Sequence, residues 1–296
     1  ISIFPFNFLA SAFASTIPFL ASLFLLNNYD TLNIPLYIVL YFFPHTLLVI
    51  NKWKSERDNR LNFAKSIIID ENRQMMHETL KRYFGETLSE KIISQKGHLE
   101  GENRWVTILF ADLSSYSTIT EKMSPEVALD FLNEYFTKMH NVIKEFDGHT
   151  LNYIGDAVMV VFGAPEKLQN HENQAVKCSL KMKEELNKLN TVWDEKETSR
   201  YWRNHGIESI TMRIGLHTGS VIAGNIGSQE MLQYTTIGDT VNVAARLEQA
   251  NKEYGTDISF SSEIYTALTK ELYDKAKLSG EIKLKGRGTS TKVYSI

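Results

Sequence analysis

The hydrophobic pattern begins with two apolar runs and then changes to charged, amphipathic sequence. The runs cover residues 8–26 and 34–50, and neither contains a formally charged residue. Each is close to the roughly 20 residues that a helix needs to cross a bilayer. Basic residues beside Trp53 follow the second run and place that end in the cytoplasm by the positive-inside rule. We therefore expect two transmembrane helices over residues 1–51, with two buried core helices as the alternative.

The beginning of the chain differs from a signal peptide, because no basic segment precedes the first apolar run and a second run follows it. The chain opens with Ile1 rather than Met, as expected for a piece of a longer, multi-pass protein of the inner or plasma membrane. Cys178 has no second cysteine to pair with, which fits a reducing compartment. We therefore expect a lipid bilayer around residues 1–51 and cytoplasm around the rest.

Residues 52–100 show a charged, helical pattern. One apolar position recurs every seven residues, at Leu61, Ile68 and Met75. A single apolar position per heptad is a weak coiled-coil signal, so a short parallel dimerising helix and an exposed linker helix both remain open. Gly85 interrupts the pattern and leaves a small helix over residues 86–94.

Two strand-like units in residues 101–296 each end in a carboxylate. An apolar, β-branched run ends at Asp112, and a polar loop, residues 114–116, follows it. Further on, two short apolar runs flank Gly155 and Asp156, which is typical of a hairpin. Either aspartate alone is more typical of a turn than of a metal ligand. Together, at neighbouring strand ends, they predict a site for a hard divalent cation such as Mg²⁺.

The remaining pattern predicts an α+β fold. A helix begins at Ser124, with Pro125 at its first position, and a second amphipathic helix covers residues 170–189. Residues 191–208 are charged and lack periodicity, which predicts a loop or arm. Strand and helix patterns then resume as far as residue 296. Strand–helix–hairpin–helix–strand is the ferredoxin-like split βαβ plan, so we expect helices backing a mostly antiparallel sheet.

The charge balance of the chain excludes one class of partner. The chain has 32 basic and 35 acidic residues and a net charge of −3. A nucleic-acid-binding protein shows a basic excess, so no nucleic-acid partner is expected.

Four sequence blocks in residues 101–296 resemble the catalytic domain of class III nucleotide cyclases. They are FADL at 110–113, YIGDAVM at 153–159, RIGLHTG at 213–219 and IGDTVNVAARLE at 237–248. Each block alone is common, but their order and intervals are specific, and the resemblance runs from about Arg104 to Ile296. The family converts a nucleoside triphosphate to a 3′,5′-cyclic monophosphate and pyrophosphate. The resemblance therefore implies a cyclase.

The resemblance implies roles for the acidic residues and for the loop that follows the first of them. Asp112 and Asp156, with the backbone carbonyl of Leu113, would hold two Mg²⁺ or Mn²⁺ ions. The loop Ser114, Ser115 and Tyr116 would offer backbone amides to the β- and γ-phosphates.

The resemblance also implies a set of basic and amide residues. Arg246 would stabilise charge on the α-phosphate, and Asn242, one helical turn earlier, would orient the ribose. Lys285 would contact the terminal phosphates. A solvated helix arginine and a plain surface lysine are the alternatives for Arg246 and Lys285.

In this family the metal pair comes from one catalytic domain and the Asn/Arg pair from its partner. A chain that carries both sets therefore implies a head-to-tail homodimer with two shared sites. Rotating or spreading the linker helices would then misalign the half-sites and lower the rate.

Base selection is where the sequence departs from the family pattern. The family's adenine-reading Lys, four residues before the second aspartate, is replaced by Asn152. Thr235 lies eleven residues before Arg246, as in adenylate-forming relatives. An Asn amide can pair with adenine or guanine, so Thr235 favours ATP, with a GTP or dual-specificity cyclase as the alternative.

Two other classes of function are alternatives to an active cyclase. A neutral Asn152 also suits a catalytically weak nucleotide-sensing domain. A diguanylate cyclase lacks support because no Gly-Gly-Asp/Glu-Glu-Phe turn is present.

Overall fold

The computed structural model describes residues 16–17, 20, 24, 43–97, 99–228, 230–283 and 290–296. The chain divides into two compact units, residues 1–85 and 86–296. Within the described residues, no helix combines the length and the apolar character needed to cross a membrane. Most of the predicted span 8–26 and the first part of the predicted span 34–50 lie outside the described residues.

The first unit contains one long helix, α1 (Phe43–Phe84), which has no buried residue. The heptad positions Leu61, Ile68 and Met75 are 48%, 56% and 66% exposed. The predicted linker helix is therefore present, while its dimerisation stays a prediction. Gly85 ends the helix with a φ of 75°, a conformation that glycine adopts without strain.

The second unit is built from eight helices and eight strands in its described residues. The helices are α2 (Glu86–Ser94), α3 (Tyr116–Thr120), α4 (Pro125–Glu145), α5 (His171–Glu195), α6 (Arg200–Arg203), α7 (Asp239–Tyr254), α8 (Ser262–Ala267) and α9 (Lys270–Tyr273). The strands are β1 (Glu102–Leu113), β2 (His149–Ile154), β3 (Ala157–Phe162), β4 (Met212–Gly227), β5 (Leu232–Ile237), β6 (Ile258–Ser261), β7 (Lys277–Lys283) and β8 (Ser290–Ser295).

The strands form one sheet in the order β2-β3-β1-β4-β6-β8-β7, with β5 paired to β4. The order β2-β3-β1-β4 follows the predicted split βαβ plan. Strands β4 and β6 run parallel, whereas the other pairs are antiparallel. The sheet is therefore mixed, which corrects the expected mostly antiparallel sheet. The parallel pairing of β4 with β6 was not expected from the sequence. It is possible because helix α7 connects β5 to β6 as a crossover.

Strand β1 separates two hydrophobic cores. Leu109, Ala111 and Leu113 pack in the larger core with α4 and α5, whereas Val106 and Ile108 pack in a smaller core that includes Leu88 of α2. Successive strand side chains point to opposite faces, so this alternation covers both faces of the sheet. Asp112 follows the same alternation near the end of the strand.

Helix α4 begins where the sequence predicts. Ser124 adopts an extended conformation and its side chain accepts the backbone N–H of Val127, while Pro125 takes the first helical position. The buried side chains of this helix lie on the predicted apolar face: Phe131, Tyr135, Met139, Val142 and Ile143.

The prediction of a loop or arm over residues 191–208 was wrong. Helix α5 continues to Glu195, and α6 follows at Arg200–Arg203. Trp193 and Trp202 are each 1% exposed, and their rings lie 4.7 and 6.0 Å from the ring of Phe131. Two isolated aromatic residues anchor the segment through tertiary contacts, which local periodicity does not encode.

Candidate active site

The structure brings the two predicted metal-binding aspartates together. Asp112 is the penultimate residue of β1, and Asp156 occupies the turn between β2 and β3 with Gly155, whose φ is 64°. Strands β1 and β3 are neighbours, with Ala111 opposite Val158. The Leu113 backbone N–H donates to Asp156 Oδ2 at 3.2 Å. The strand end and the hairpin turn thus form one acidic site.

The acidic pair is electrostatically strained without a cation. Burial raises the pKa of Asp156 to about 6, and a hydrogen bond with Asp112 and repulsion from its charge add to the rise. Tyr135 is fully buried, and its hydroxyl has no hydrogen-bond partner among the residues that the structure describes. Its pKa is raised, chiefly by burial and then by the charges of the two aspartates. A positive charge at this site would therefore be stabilising.

Arg213 supplies positive charge beside the acidic pair. It lies opposite Asp112 in the β1–β4 register, and its Nη2 donates to Asp112 Oδ2 at 2.9 Å. Its Nε lies 3.1 Å from Glu248 Oε1, at an angle that does not make a hydrogen bond. One guanidinium therefore links a metal-site carboxylate on β1 to a carboxylate on α7.

Glu248 is the carboxylate on α7 that lies beside Arg213, and it is buried. Burial raises its pKa to about 7, although Arg213 lowers it, and the charges of Asp112 and Asp156 raise it further. Helix α7 lies against β4 at Gly215, where a Cβ atom would meet the backbone nitrogen of Glu248 at 2.0 Å. Only glycine permits this close approach, which places Glu248 next to Arg213.

The predicted phosphate loop follows β1 directly. Ser115 has a left-handed φ of 63°, and α3 begins at Tyr116. The Ser114 backbone N–H donates to the Thr211 carbonyl at 2.8 Å, so this amide already has a protein partner. The pKa of Tyr116 is raised by burial and by the charge of Asp156. The loop therefore lies beside the acidic pair.

The basic half of the predicted site stands on a different element. Asn242 is exposed and Arg246 is half-buried, both on α7. Within the described residues, neither makes a hydrogen bond or ion pair with Asp112 or Asp156 of the same chain. In the described part of one chain, the metal half and the Asn/Arg half are thus not joined by a hydrogen bond or an ion pair.

The predicted base-reading residues lie on separate strands. Asn152 is exposed on β2 opposite Met159, and Thr235 is half-buried on β5 opposite Gly224. The structure joins them by no hydrogen bond among its described residues. Lys285 lies outside those residues.

Comparison with known proteins identifies the family of this chain. The family model described as "Adenylate and Guanylate cyclase catalytic domain" matches residues 100–296. The chain belongs to this family. The adenylate cyclase 1 of Rhizobium meliloti is 36% identical over 205 residues, which are 68% of this chain and 29% of that protein. The adenylate cyclase of Anabaena cylindrica is 31% identical over 194 residues, 65% of this chain and 37% of that protein.

Solved cyclases share the fold. The structure of the guanylyl cyclase Cya2 is 30% identical, with a TM-score of 0.55, and the match covers 66% of this chain and 93% of that one. The chain spans about a third of the length of the two adenylate cyclases above. Both adenylate and guanylate cyclases are therefore among its relatives.

The acidic site of this cyclase domain fits a magnesium or manganese ion. Mg²⁺ is usually held by one or two carboxylates together with substrate phosphates and waters. Asp112 and Asp156 supply the two carboxylates, and the pKa of Asp156 is raised chiefly by burial and further by its hydrogen bond with Asp112 and the charge of Asp112. Across the described ranges, no cluster of three or more His, Cys, Asp or Glu residues has the arrangement of a metal site. Substrate oxygens would complete the ligand set.

Arg213 and Glu248 were missed as site residues by the sequence reasoning. Both lie in family-like blocks, but only the β1–β4 register shows that Arg213 faces Asp112. A buried charge pair between a strand and a helix leaves no local pattern. The usable signal was the single arginine that opens the strand block RIGLHTG at 213–219.

Proposed function

We propose that this chain is the catalytic part of a homodimeric nucleotide cyclase that converts ATP to 3′,5′-cyclic AMP and pyrophosphate. Membership of the cyclase family and the two adenylate cyclase relatives support the reaction class. Thr235, which the family pattern associates with adenylate formation, supports ATP. The observation that supports a shared site is that, among the described residues, no hydrogen bond or ion pair joins Asn242 or Arg246 to Asp112 or Asp156 of the same chain.

The residues of the acidic site act on the triphosphate end of the substrate. Asp112, Asp156 and the Leu113 carbonyl would hold the divalent ions. When bound, Mg²⁺ or Mn²⁺ supplies positive charge that stabilises the attacking and leaving oxygens. The loop at Ser115 and Tyr116 binds the β- and γ-phosphates through its backbone amides. This loop lies next to the half-site that holds the α-phosphate.

The residues of α7 act on the reacting centre. Asn242 holds the ribose so that its 3′-hydroxyl oxygen faces the α-phosphorus. The O3′–P bond forms as the bond from the α-phosphorus to the bridging oxygen breaks. The 3′-hydroxyl proton passes to water, and pyrophosphate leaves with the electron pair of the broken bond. Arg246 stabilises the negative charge on the α-phosphate in the transition state, a contribution of several kcal/mol for a well-placed donor.

The dimer follows from the division of these roles. Each copy gives its acidic site to one active site and its α7 residues to the other, so a two-fold pair forms two sites. The exposed Asn242 and the half-buried Arg246 suit residues that act on substrate held by a partner.

Guanylate cyclase activity is the second candidate. Asn152 replaces the Lys that the family uses for adenine, and its amide can pair with either purine. The 30% identity to the guanylyl cyclase Cya2 supports GTP as the second candidate substrate.

A membrane anchor belongs to the same proposal. The apolar runs 8–26 and 34–50, and the basic residues after them, support two membrane helices with the catalytic unit in the cytoplasm. Fractionation of cells expressing the full chain tests this part: recovery in the salt-washed membrane pellet supports it, and recovery in the supernatant contradicts it.

The experiment for the reaction is a product assay. The purified full chain is incubated with Mn²⁺ or Mg²⁺ and either ATP or GTP, and cyclic nucleotide and pyrophosphate are separated by chromatography. We expect cyclic AMP and pyrophosphate in equal amounts, with less cyclic GMP. Binding of nucleotide without any cyclic product would identify a nucleotide-sensing domain instead.

A further inference from the structure

A side-chain amide on α5 clamps the segment that leads into β4. Asn190 Nδ2 donates to the Ile210 carbonyl at 2.8 Å, and the Ile210 N–H donates to Asn190 Oδ1 at 2.8 Å. Ile210 is 1% exposed, so its backbone groups cannot rely on water. The Asn190 amide therefore satisfies both backbone groups of one buried residue, as a neighbouring strand would.

The residue after this clamp holds the phosphate loop. The carbonyl of Thr211 accepts the Ser114 N–H at 2.8 Å. Thr211 shares a peptide bond with the clamped Ile210, and Ser114 opens the loop that continues through Ser115 and Tyr116. One peptide unit thus connects the Asn190 clamp to the loop.

We propose that Asn190 is a positioning residue for the phosphate loop. The inference rests on the proposed function, because that function gives the loop its role in binding the β- and γ-phosphates. Because Asn190 bonds both the N–H and the carbonyl of Ile210, it fixes the orientation of the next carbonyl, that of Thr211. The Thr211 carbonyl in turn sets the position of the loop beside Asp112. Asn190 acts through the loop and touches no reacting atom.

Phosphate binding by the loop depends strongly on the position that the clamp gives it. The loop has to place backbone amides within hydrogen-bond distance of phosphate oxygens, and these bonds weaken steeply when the donor angle falls. Displacements of the order of 1 Å away from the chemistry can lower rates about a hundredfold.

The same helix provides a matched control. Asn173 Nδ2 donates to the Ala267 carbonyl at 2.9 Å, and its Oδ1 accepts the Thr269 N–H at 2.7 Å. This amide makes the same kind of two-bond clamp, but on the segment between α8 and α9. Each variant loses two hydrogen bonds from α5 to another segment, and Asn190→Ala also loses a 3.2 Å bond to the Leu186 carbonyl of its own helix. Only the Asn190 clamp leads to the phosphate loop.

The test compares Asn190→Ala with Asn173→Ala in the full chain. For each protein, thermal unfolding, KM and kcat for the triphosphate are measured, together with the affinities for a non-cyclisable triphosphate analogue and for the nucleoside monophosphate. We expect similar losses of melting temperature in both variants. Losing one positioned hydrogen bond corresponds to about a tenfold weaker interaction, so in Asn190→Ala the KM and the analogue Kd should rise about tenfold.

The contrast between ligands separates positioning from general destabilisation. Monophosphate affinity should be unchanged in both variants, because that ligand lacks the β- and γ-phosphates. If Asn190→Ala does not fold, Asn190→Asp and Asn173→Asp replace the pair. The aspartate keeps the acceptor but places a carboxylate against the backbone carbonyl, so the expected contrast is the same.

Equal triphosphate affinity in the Asn190 and Asn173 variants would overturn the inference. Failure of the proposed function gives a different result, namely no cyclic product from the unmodified chain. The analogue and monophosphate affinities still decide the role of Asn190 in that case, since they need no turnover.

Discussion

At the scale of single residues, the acidic pair has the electrostatics expected of the proposed cation site. Asp156 and Asp112 repel each other at the end of a strand, and Arg213 offsets only part of that charge. Buried like charges are tolerated where function requires them, because each disfavours ionisation of the other. Function and stability should therefore separate when one carboxylate is removed.

The variant Asp156→Asn tests that separation. It removes a charge that the metal needs and that the metal-free fold does not need. We expect cyclase activity to fall by at least about a hundredfold, while the urea midpoint of the metal-free protein stays the same or rises. Asp130→Asn, an exposed aspartate on α4, is the control and should change neither quantity. Full turnover in Asp156→Asn would remove this residue from the metal site.

Glu248 predicts a pH dependence of stability. Burial raises its folded-state pKa to about 7, above the ordinary value of 4.5. A carboxyl with a raised folded-state pKa stabilises the fold below its ordinary pKa, and this contribution is lost as the pH rises through about 7. In Glu248→Gln that loss should be absent, so the variant gains stability relative to the parent between about pH 5 and pH 8.

Urea unfolding of the metal-free proteins across that pH range measures the effect. Glu253→Gln, an exposed glutamate on the same helix, is the matched control and should follow the parent curve. Parallel curves for the parent and Glu248→Gln would contradict the assignment.

Asn152 is the residue at which substrate choice should respond. A Lys at this position is the family's adenine contact, so Asn152→Lys should raise kcat/KM for ATP relative to GTP by about tenfold, the value of one added charged hydrogen bond. Competing-substrate assays measure the ratio. An unchanged ratio would show that this side chain does not touch the base.

At the scale of elements, the aromatic contacts of Trp193 and Trp202 explain why residues 191–208 are ordered. Trp193 also donates its Nε1–H to Glu134 Oε2 at 2.9 Å, which ties α5 to α4. Helix α6 packs against α3, the short helix after the phosphate loop. The segment therefore buttresses one side of the candidate site.

Trp202→Ala should lower the free energy of unfolding by about 3–5 kcal/mol, the usual cost of removing a fully buried aromatic ring. Trp202→Phe keeps part of the packing and should cost less. The control is Leu129→Ala on α4, where the side chain is 60% exposed and the expected change is within about 0.5 kcal/mol. Chemical denaturation provides all three values; a Trp202→Ala cost no larger than that of Leu129→Ala would contradict the packing account.

The elements also show what could be predicted from sequence. Local signals were sufficient for the β1 strand ending near Asp112, the hairpin at Gly155 and the start of α4 at Ser124, because each depends on a few adjacent residues. The pairing of Asp112 with Arg213, the parallel β4–β6 contact and the burial of Trp202 all depend on register or tertiary packing. These were the features that the sequence alone did not provide.

At the scale of the whole molecule, the account requires two copies. In the proposed function Asp112 and Asp156 belong to one half-site and Asn242 and Arg246 to the other, and no hydrogen bond or ion pair joins the two pairs in the described part of one chain. Two variants, each with a different half-site inactivated, should therefore form one intact active site when they pair.

The most direct measurement is cyclase activity after mixing Asp156→Asn with Arg246→Ala. Each variant alone should be inactive. Random pairing makes half of the dimers mixed, and each mixed dimer has one intact site, so activity should return to about a quarter of the parent rate. A mixture that forms mixed dimers yet stays inactive, or a monomer that turns over ATP alone, would contradict the shared site.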